Sequence, residues 1–128
     1  MVTKFKNIEF LPKDGKRLKL VSAEGVFDPN TTTELLISAA KRTVSKSTKV
    51  LDLGCGTGVV GLSLWLDGLA KEPIYASDLS EPSVSCSREN FKKYECKADV
   101  RCGALFDPWK NERFDVIMDD ISGISQNI

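Results

Sequence analysis

The segment VLDLGCGTGVVG, residues 50–61, decides the fold of this 128-residue chain. It begins as a short apolar run, passes through three alternating glycines and continues into a second apolar stretch. Glycine tolerates positive φ angles and places no Cβ between the backbone and a neighbouring group. This order of features predicts a buried strand that turns sharply into a helix, with a turn that a ligand can approach closely.

Short apolar runs and helical patterns alternate along the rest of the chain. Residues 5–12 and 17–27 predict a β-hairpin at the N-terminus. Helices are predicted over residues 31–44, 58–68 and 81–94, and further strands over residues 49–53, 74–77, 100–102 and 114–118. Because parallel neighbours need crossover connections, this order predicts an α/β fold with a mostly parallel sheet and helices on both faces.

The composition is that of a globular chain with an uneven distribution of charge. Hydrophobic residues make up 41% and charged residues 28%, and the 18 basic and 18 acidic side chains cancel. Residues 1–50 carry 10 Lys and Arg against 5 Asp and Glu, whereas residues 51–128 carry 8 against 13. The excess of positive charge in residues 1–50 is compatible with an anionic partner for this half of the chain. The alternative is that these lysines are scattered over the surface and are only solvated.

Cysteine and histidine usage limits the chemistry. The chain has no histidine, which excludes histidine-based acid–base catalysis and histidine-activated nucleophiles. No stretch resembles a membrane span or a secretory signal, so we expect a cytoplasmic protein without membrane contact. No CxxC spacing occurs, so we expect no metal site and reduced thiols at Cys55, Cys86, Cys96 and Cys102.

Two classes of ligand compete for the glycine turn. Gly56, Gly58 and Gly61 satisfy the GxGxxG pattern of dinucleotide sites, and Asp78 lies at a spacing suited to a ribose hydroxyl. Asp52, two residues before the first glycine, would instead repel a diphosphate placed there. A ligand with an ammonium and a sulfonium, such as S-adenosylmethionine, would be attracted to that carboxylate. The acid before the turn favours S-adenosylmethionine.

Four segments resemble the class I S-adenosylmethionine-dependent methyltransferases, and within them the methyltransferase small domain group, which includes ribosomal RNA guanine-N2 methylating enzymes. They are GVFDPNTTTELL at 25–36, VLDLGCGTGVVGLSL at 50–64, ASDLSEPSVSCSRENF at 76–91 and the span from GALFDPW to FDVIMDD at 103–120. The resemblance implies a Rossmann-like fold with strand order 3-2-1-4 after the hairpin. It also implies S-adenosyl-L-methionine as cofactor and an RNA base or a protein side chain as methyl acceptor.

The resemblance also implies cofactor-binding roles. Thr32 is expected at the carboxylate end of the cofactor, Asp78 at the ribose and Leu79 on the adenine. The other expected cofactor-binding residues are Asp52, Gly54, Cys55, Gly56 and Gly58 around the methionine part, and Ala104 and Leu105 near the adenine. As alternatives, Thr32 and Asp78 would only cap helices and Leu79 would only fill the core.

Two positions depart from the pattern of the family. Ala104 stands where the family usually has an Asp near the adenine amino group, so one polar contact is missing. Members that methylate amino groups carry Asn-Pro-Pro-aromatic after the fourth strand, where this chain has Asp120-Ile121-Ser122-Gly123. Asp120 accepts hydrogen bonds but cannot donate them, and it is the candidate catalytic residue, as acceptor or base. A solvated acid without a chemical role is the alternative.

The family sheet has seven strands, whereas this chain ends ten residues after the predicted strand 114–118. An exposed apolar edge strand invites pairing with a partner or with a second copy. We therefore expect a hairpin extension over residues 1–27 and an S-adenosylmethionine-binding domain over residues 28–128 that is truncated after its fourth strand. Two other functions stay open: an NAD(P)-dependent oxidoreductase of Rossmann fold, and a non-catalytic methyltransferase-like binding module.

Overall fold

The computed structural model describes residues 2–12 and 15–120, which form two sheets and three α-helices. An antiparallel hairpin consists of β1 (Phe5–Phe10) and β2 (Leu18–Ala23). The parallel sheet consists of β3 (Val50–Leu53), β4 (Ile74–Asp78), β5 (Ala98–Cys102) and β6 (Val116–Asp119). The helices are α1 (Thr31–Lys41), α2 (Val59–Leu66) and α3 (Glu81–Lys93), and a short 3₁₀ helix spans Asp107–Trp109.

The strand order β5-β4-β3-β6 corresponds to the expected order 3-2-1-4. Helix α2 connects β3 to β4 and α3 connects β4 to β5, as parallel neighbours require. Strand β6 pairs with the other side of β3, so the chain reverses its direction of travel across the sheet at β3. The mixed α/β class, the parallel sheet and the N-terminal hairpin are confirmed.

The two faces of the parallel sheet are covered differently. One face contributes Val50, Ile74 and Met118 to the main core, where α1, α2 and α3 pack. The opposite face carries Leu51 and Leu53, and the 3₁₀ helix with its buried Trp109, together with partly buried aromatic side chains, covers them. We expected helices on both faces, but in residues 2–12 and 15–120 all three α-helices lie on one. The connection from β5 to β6 is a turn with a 3₁₀ helix, which supplies no α-helix for the second face.

The hairpin shares the main core with the parallel sheet. Phe10, Leu18 and Leu20 are buried in that core. The side chain of Asn90 on α3 accepts a hydrogen bond from the N–H of Val21 (2.7 Å) and donates to its carbonyl (2.9 Å). The hairpin is therefore fixed to α3 by buried polar contacts as well as by apolar packing.

Three further expectations concern cysteines, metals and membranes. All four cysteines are free thiols. In the described part of the chain, no group of His, Cys, Asp and Glu is arranged to hold a metal ion. The same residues contain no helix with the length and apolarity to cross a bilayer. Residues 121–123, named above after the fourth strand, lie outside the described residues.

Candidate functional site

The turn between β3 and α2 is built from glycines with left-handed backbones. Gly54, Gly56 and Gly58 have φ angles of 69°, 53° and 82°. A Cβ on Gly58 would lie 3.1 Å from a ring carbon of Phe91 and 3.1 Å from the hydroxyl of Ser87, both on α3. The Ser87 hydroxyl also donates to the carbonyl of Gly56 (2.8 Å). Helix α3 thus holds the turn so closely that only glycine fits at position 58 without strain.

Two connected depressions lie at the carboxyl ends of β3 and β4. The turn cavity, of about 160 Å³, is bounded by the glycine turn, the segment before α1 and the first residues of α3. The adjoining cleft, of about 320 Å³, extends over the residues that follow β4 and β5. The residues that line both are Phe27, Gly54, Asp78 and Asp120. In open α/β sheets this edge, where the strand order reverses, is the usual ligand site.

The charged side chains along these two depressions are all acidic. They are Asp28, Asp78, Asp119 and Asp120, and no Lys or Arg of residues 2–12 and 15–120 lines either depression. Burial and the neighbouring Asp120 carboxylate raise the pKa of Asp119. A site with this lining attracts a cationic ligand and offers no counter-charge to a diphosphate. The lining therefore disfavours the dinucleotide alternative.

Asp78, at the end of β4, fastens the glycine turn. One carboxylate oxygen accepts from the N–H of Gly56 (2.9 Å), and the other accepts from the N–H of Ser80 (2.9 Å). Ser80, not Asp78, is the N-cap of α3. Each carboxylate oxygen keeps a further lone pair, so the half-buried Asp78 can accept two more hydrogen bonds from a ligand.

Asp52 lies beneath the turn and not at the mouth of the cavity. Its side chain is 1% exposed, lines neither depression, and accepts from the N–H of Gly61 (3.2 Å). The side chain of position 52 points into the face that α2 covers, because side chains alternate along β3. Burial raises the pKa of Asp52 to about 8. The carboxylates that face the turn cavity are those of Asp28, Asp78 and Asp120. We expected a negative charge at Asp52, but with this pKa its carboxyl group is mostly protonated at neutral pH.

We expect Asp52→Asn to change how stability depends on pH. The folded chain holds the Asp52 proton up to about pH 8, whereas an unfolded Asp releases it at about pH 3.9. The contribution of Asp52 to the free energy of unfolding therefore falls as pH rises from about 4 to 8, by at most about 1.4 kcal/mol per pH unit. The amide of the variant has no such proton, so its stability relative to the native chain should rise across that window. Urea denaturation at about pH 5 and pH 8 measures this, and a constant difference would contradict the protonated state.

The start of α1 places Thr33, and not Thr32, in the turn cavity. Asn30 is the N-cap, and its side chain accepts from the N–H of Thr33 (3.2 Å) in a capping box. The Thr33 hydroxyl donates to a carboxylate oxygen of Asp120 (2.8 Å). Thr32 is exposed and lines neither depression. The position of the cap sets the helical phase, so the two neighbouring threonines point in different directions.

The remaining expected residues surround the cleft and the turn. Leu79 is 74% exposed and Leu105 71% exposed, and both line the cleft together with Ala104. Cys55 lines the turn cavity, is buried, and has its pKa raised by that burial. Sequence reasoning did not single out Phe27, which is 69% exposed and lines both depressions. The feature of the sequence that could have indicated Phe27 is its position directly before Asp28-Pro29-Asn30, the segment that leads into α1.

Comparisons with known proteins agree with this geometry. A family model described as the methyltransferase small domain matches residues 17–120. The ribosomal protein L11 methyltransferase of Staphylococcus saprophyticus is 32% identical over 92 residues, which cover 70% of this chain and 28% of that protein. The release factor glutamine methyltransferase of Dictyoglomus turgidum is 32% identical over 111 residues, covering 79% of this chain and 38% of that protein. The chain thus spans about a third of the length of these relatives.

Solved structures share the fold. The T. thermophilus 16S rRNA N2 G1207 methyltransferase, in complex with AdoMet and guanosine, superimposes with a TM-score of 0.77 at 21% identity, covering 90% of this chain and 32% of that one. The ribosomal protein L11 methylase of Lactobacillus delbrueckii subsp. bulgaricus gives 0.62 at 24% identity, covering 73% and 48%. With most of its length matched by the family model, this chain belongs to the methyltransferase small domain family, as its sequence motifs implied.

Proposed function

We propose that this chain is the cofactor-binding part of a cytoplasmic S-adenosylmethionine-dependent methyltransferase that acts on an RNA base or a protein side chain. The observation that supports this most is that every charged side chain that lines the turn cavity and the cleft in the described residues is acidic. S-adenosylmethionine carries an ammonium, a sulfonium and one carboxylate and has no phosphate, so its net positive charge matches those side chains. The relatives are named for methylating a ribosomal protein or a release factor, and the T. thermophilus structure for methylating 16S rRNA.

The cofactor would lie along both depressions. The free lone pairs of Asp78 would accept from the ribose hydroxyls, and the backbone from Gly54 to Gly58 would contact the methionine part. Leu79 and Leu105 would pack on either side of the adenine in the cleft, where both side chains are largely exposed. In this proposal the domain of residues 28–128 provides most of the site, and the hairpin extension of residues 1–27 adds Phe27.

The protein would contribute to the reaction mainly by positioning the methyl acceptor against the cofactor. S-adenosylmethionine supplies a methyl group that a positively charged sulfur already activates, so alignment of the acceptor accounts for much of the acceleration. Asp120 lies where the turn cavity and the cleft meet, and the Thr33 hydroxyl orients one of its oxygens. Asp120 would accept a hydrogen bond or a proton from the methyl acceptor. The absence of histidine is therefore compatible with the reaction.

Calorimetric titration tests the proposed cofactor. S-adenosylhomocysteine should bind in the micromolar range and raise the melting temperature, whereas NAD(H) should do neither. Protection by NAD(H) alone would contradict the proposal and restore the oxidoreductase alternative. Binding of S-adenosylhomocysteine without labelled methyl transfer to total RNA or protein would favour the non-catalytic module.

The adjacent threonines Thr32 and Thr33 of α1 allow a matched comparison. We expect Thr33→Val to weaken S-adenosylhomocysteine binding about 5- to 10-fold, because it removes a hydroxyl that lines the cavity and orients Asp120. Thr33→Ser keeps the hydroxyl and should bind like the native chain. Thr32→Val, on the exposed side, should also leave affinity unchanged, as titration of all three variants would show. A loss of affinity in Thr32→Val alone would reverse the assignment.

A further inference from the structure

The turn cavity and the cleft meet at four residues that line both depressions: Phe27, Gly54, Asp78 and Asp120. In the proposed binding mode the methionine part of S-adenosylmethionine lies in the turn cavity, the ribose lies at Asp78 and the adenine lies in the cleft. The sulfonium joins the methionine part to the ribose, so it lies where the two depressions meet. These four residues therefore surround the positive charge that activates the methyl group.

Phe27 brings an unpartnered aromatic ring to this junction. Its side chain is 69% exposed, and within residues 2–12 and 15–120 it is the only aromatic residue that lines either depression. None of the aromatic pairs and cation–π contacts in the described part of the chain involves Phe27. A Cβ on Gly56 would lie 3.8 Å from the carbonyl oxygen of Phe27, so the backbone at this position lies against the glycine turn. The ring is therefore at the site and available to a ligand.

The residues on both sides of Phe27 are anchored to the hairpin. Val26 is buried, and its N–H donates to the carbonyl of Ala23 (3.1 Å). A carboxylate oxygen of Asp28 accepts from the fully buried hydroxyl of Ser22 (2.7 Å). Because these contacts fix the backbone of Phe27 without a ligand, little conformational entropy remains to be lost when a ligand contacts the ring. The ring is thus positioned at the site in advance.

A ring at the junction distinguishes the two forms of the cofactor by charge. Sulfur is positively charged in S-adenosylmethionine and neutral in S-adenosylhomocysteine, the product of methyl transfer. The electron-rich face of an aromatic ring attracts a cation within about 6 Å of its centre, which at an exposed site corresponds to about 2- to 5-fold in affinity. A neutral thioether makes the apolar contact with the ring but not the electrostatic one. The ring therefore favours S-adenosylmethionine.

We propose that Phe27 holds the face of its ring against the sulfonium of S-adenosylmethionine, and that this contact makes the site prefer the cofactor over the demethylated product. The inference rests on the proposed function, because it needs the methionine part in the turn cavity and the adenine in the cleft. Once the methyl group has left, sulfur is neutral and the ring no longer stabilises a charge, which favours exchange of the product for fresh cofactor. Phe27 is thus a specificity-determining residue.

The dissociation constant of S-adenosylhomocysteine divided by that of S-adenosylmethionine measures this preference, by calorimetry of the full chain without a methyl acceptor. Phe27→Leu keeps a large apolar side chain but removes the ring face, so the ratio should fall about 2- to 5-fold. Asp78 and Asp120 remain in the variant, so the change in the ratio isolates the ring. Phe106→Leu removes another exposed ring, which lines neither depression, and should leave the ratio unchanged.

Fluorinated phenylalanines at position 27 test the electrostatic contact at nearly constant shape. Fluorine withdraws electron density from the ring face and weakens its attraction for a cation. Affinity for S-adenosylmethionine should therefore fall stepwise from phenylalanine to 4-fluoro- and 3,4,5-trifluorophenylalanine, while affinity for S-adenosylhomocysteine stays constant. Sinefungin, which carries an ammonium group in place of the methylated sulfur, should follow S-adenosylmethionine. A constant sinefungin affinity would show that the ring contacts the methyl group and not the charge, and would overturn the inference.

The two ligands together separate this inference from the proposed function. Equal losses of affinity for both ligands in Phe27→Leu, or no loss for either, would overturn the sulfonium contact while leaving the proposed cofactor intact. A native chain that binds neither ligand would count against the proposed function instead. Because the side chain of Phe27 is largely exposed, Phe27→Leu should melt at the same temperature as the native chain, which thermal denaturation without ligand checks.

Discussion

Replacing Asp78 with alanine should lower the affinity for S-adenosylhomocysteine by about 100-fold or more. A hydrogen bond to a charged group contributes about 1.5–3 kcal/mol, and the proposed site places two ribose hydroxyls on this carboxylate. A loss of about 2.7 kcal/mol already corresponds to 100-fold. The substitution also releases the N–H of Gly56, so the turn that cradles the methionine part loses its anchor to β4. Calorimetric titration of the folded variant measures the loss.

Two further variants separate the ligand contact from the anchor. Asp78→Asn keeps a side-chain oxygen that can accept from Gly56 but loses the negative charge, so its affinity should fall between those of alanine and the native residue. Asp107→Asn removes an exposed carboxylate that lines neither depression and should change nothing. A folded Asp78→Ala protein with native affinity would refute the placement of the ribose.

The glycine turn could be predicted from the sequence alone, because its backbone conformation requires glycine. Gly54 and Gly58 hold φ angles that other residues rarely adopt, and the apolar residues that follow them indicate the helix. The end of β4 lies beside that turn because the strands are parallel neighbours, so an acid at position 78 had to face it. The strand order followed from the family resemblance and is confirmed.

Side-chain direction was harder to predict than fold. Thr32 and Thr33 are chemically identical in sequence, and only the position of the cap at Asn30 decides which of them faces the cavity. Asp52 is part of a short strand whose residues are all buried, so a charge at the cavity mouth could not be inferred from its place in the motif. The cost of burying that carboxylate depends on α2 packing above it, which is a tertiary property.

The connection between β5 and β6 shows the same limitation at the level of the fold. Alternating strands and helices predict a sheet covered on both faces, but that rule presumes a helix in every crossover. Residues 103–115 contain Gly103 and Pro108 and form only a 3₁₀ helix, whose Trp109 fills the space against Leu51 and Leu53. Trp109, packed against the rings of Tyr75 and Phe114, takes the place of a helix there. No periodic pattern in the sequence indicates this aromatic cluster.

Asn90→Ala should destabilise the fold by about 3–5 kcal/mol, the largest loss of stability that we expect from a single polar substitution here. Asn90 is fully buried, and its amide joins three elements of the molecule. It pairs with both backbone groups of Val21 on β2, and it donates to the carbonyl of Thr57 in the glycine turn (2.8 Å). Alanine would leave three buried backbone groups unsatisfied, at about 1–3 kcal/mol each before relaxation and water entry.

The loss should extend from stability to the site, because the same amide holds the hairpin and the turn. Urea denaturation followed by circular dichroism measures the first effect, and calorimetric titration of the remaining folded protein measures weaker S-adenosylhomocysteine binding. Asn90→Asp keeps an acceptor for Val21 but loses both donated bonds and buries a charge, so it should not rescue the fold. Asn111→Ala, at an exposed asparagine, should cost less than about 0.5 kcal/mol. If Asn90→Ala cost no more than this control, apolar packing alone would hold the hairpin and the glycine turn together.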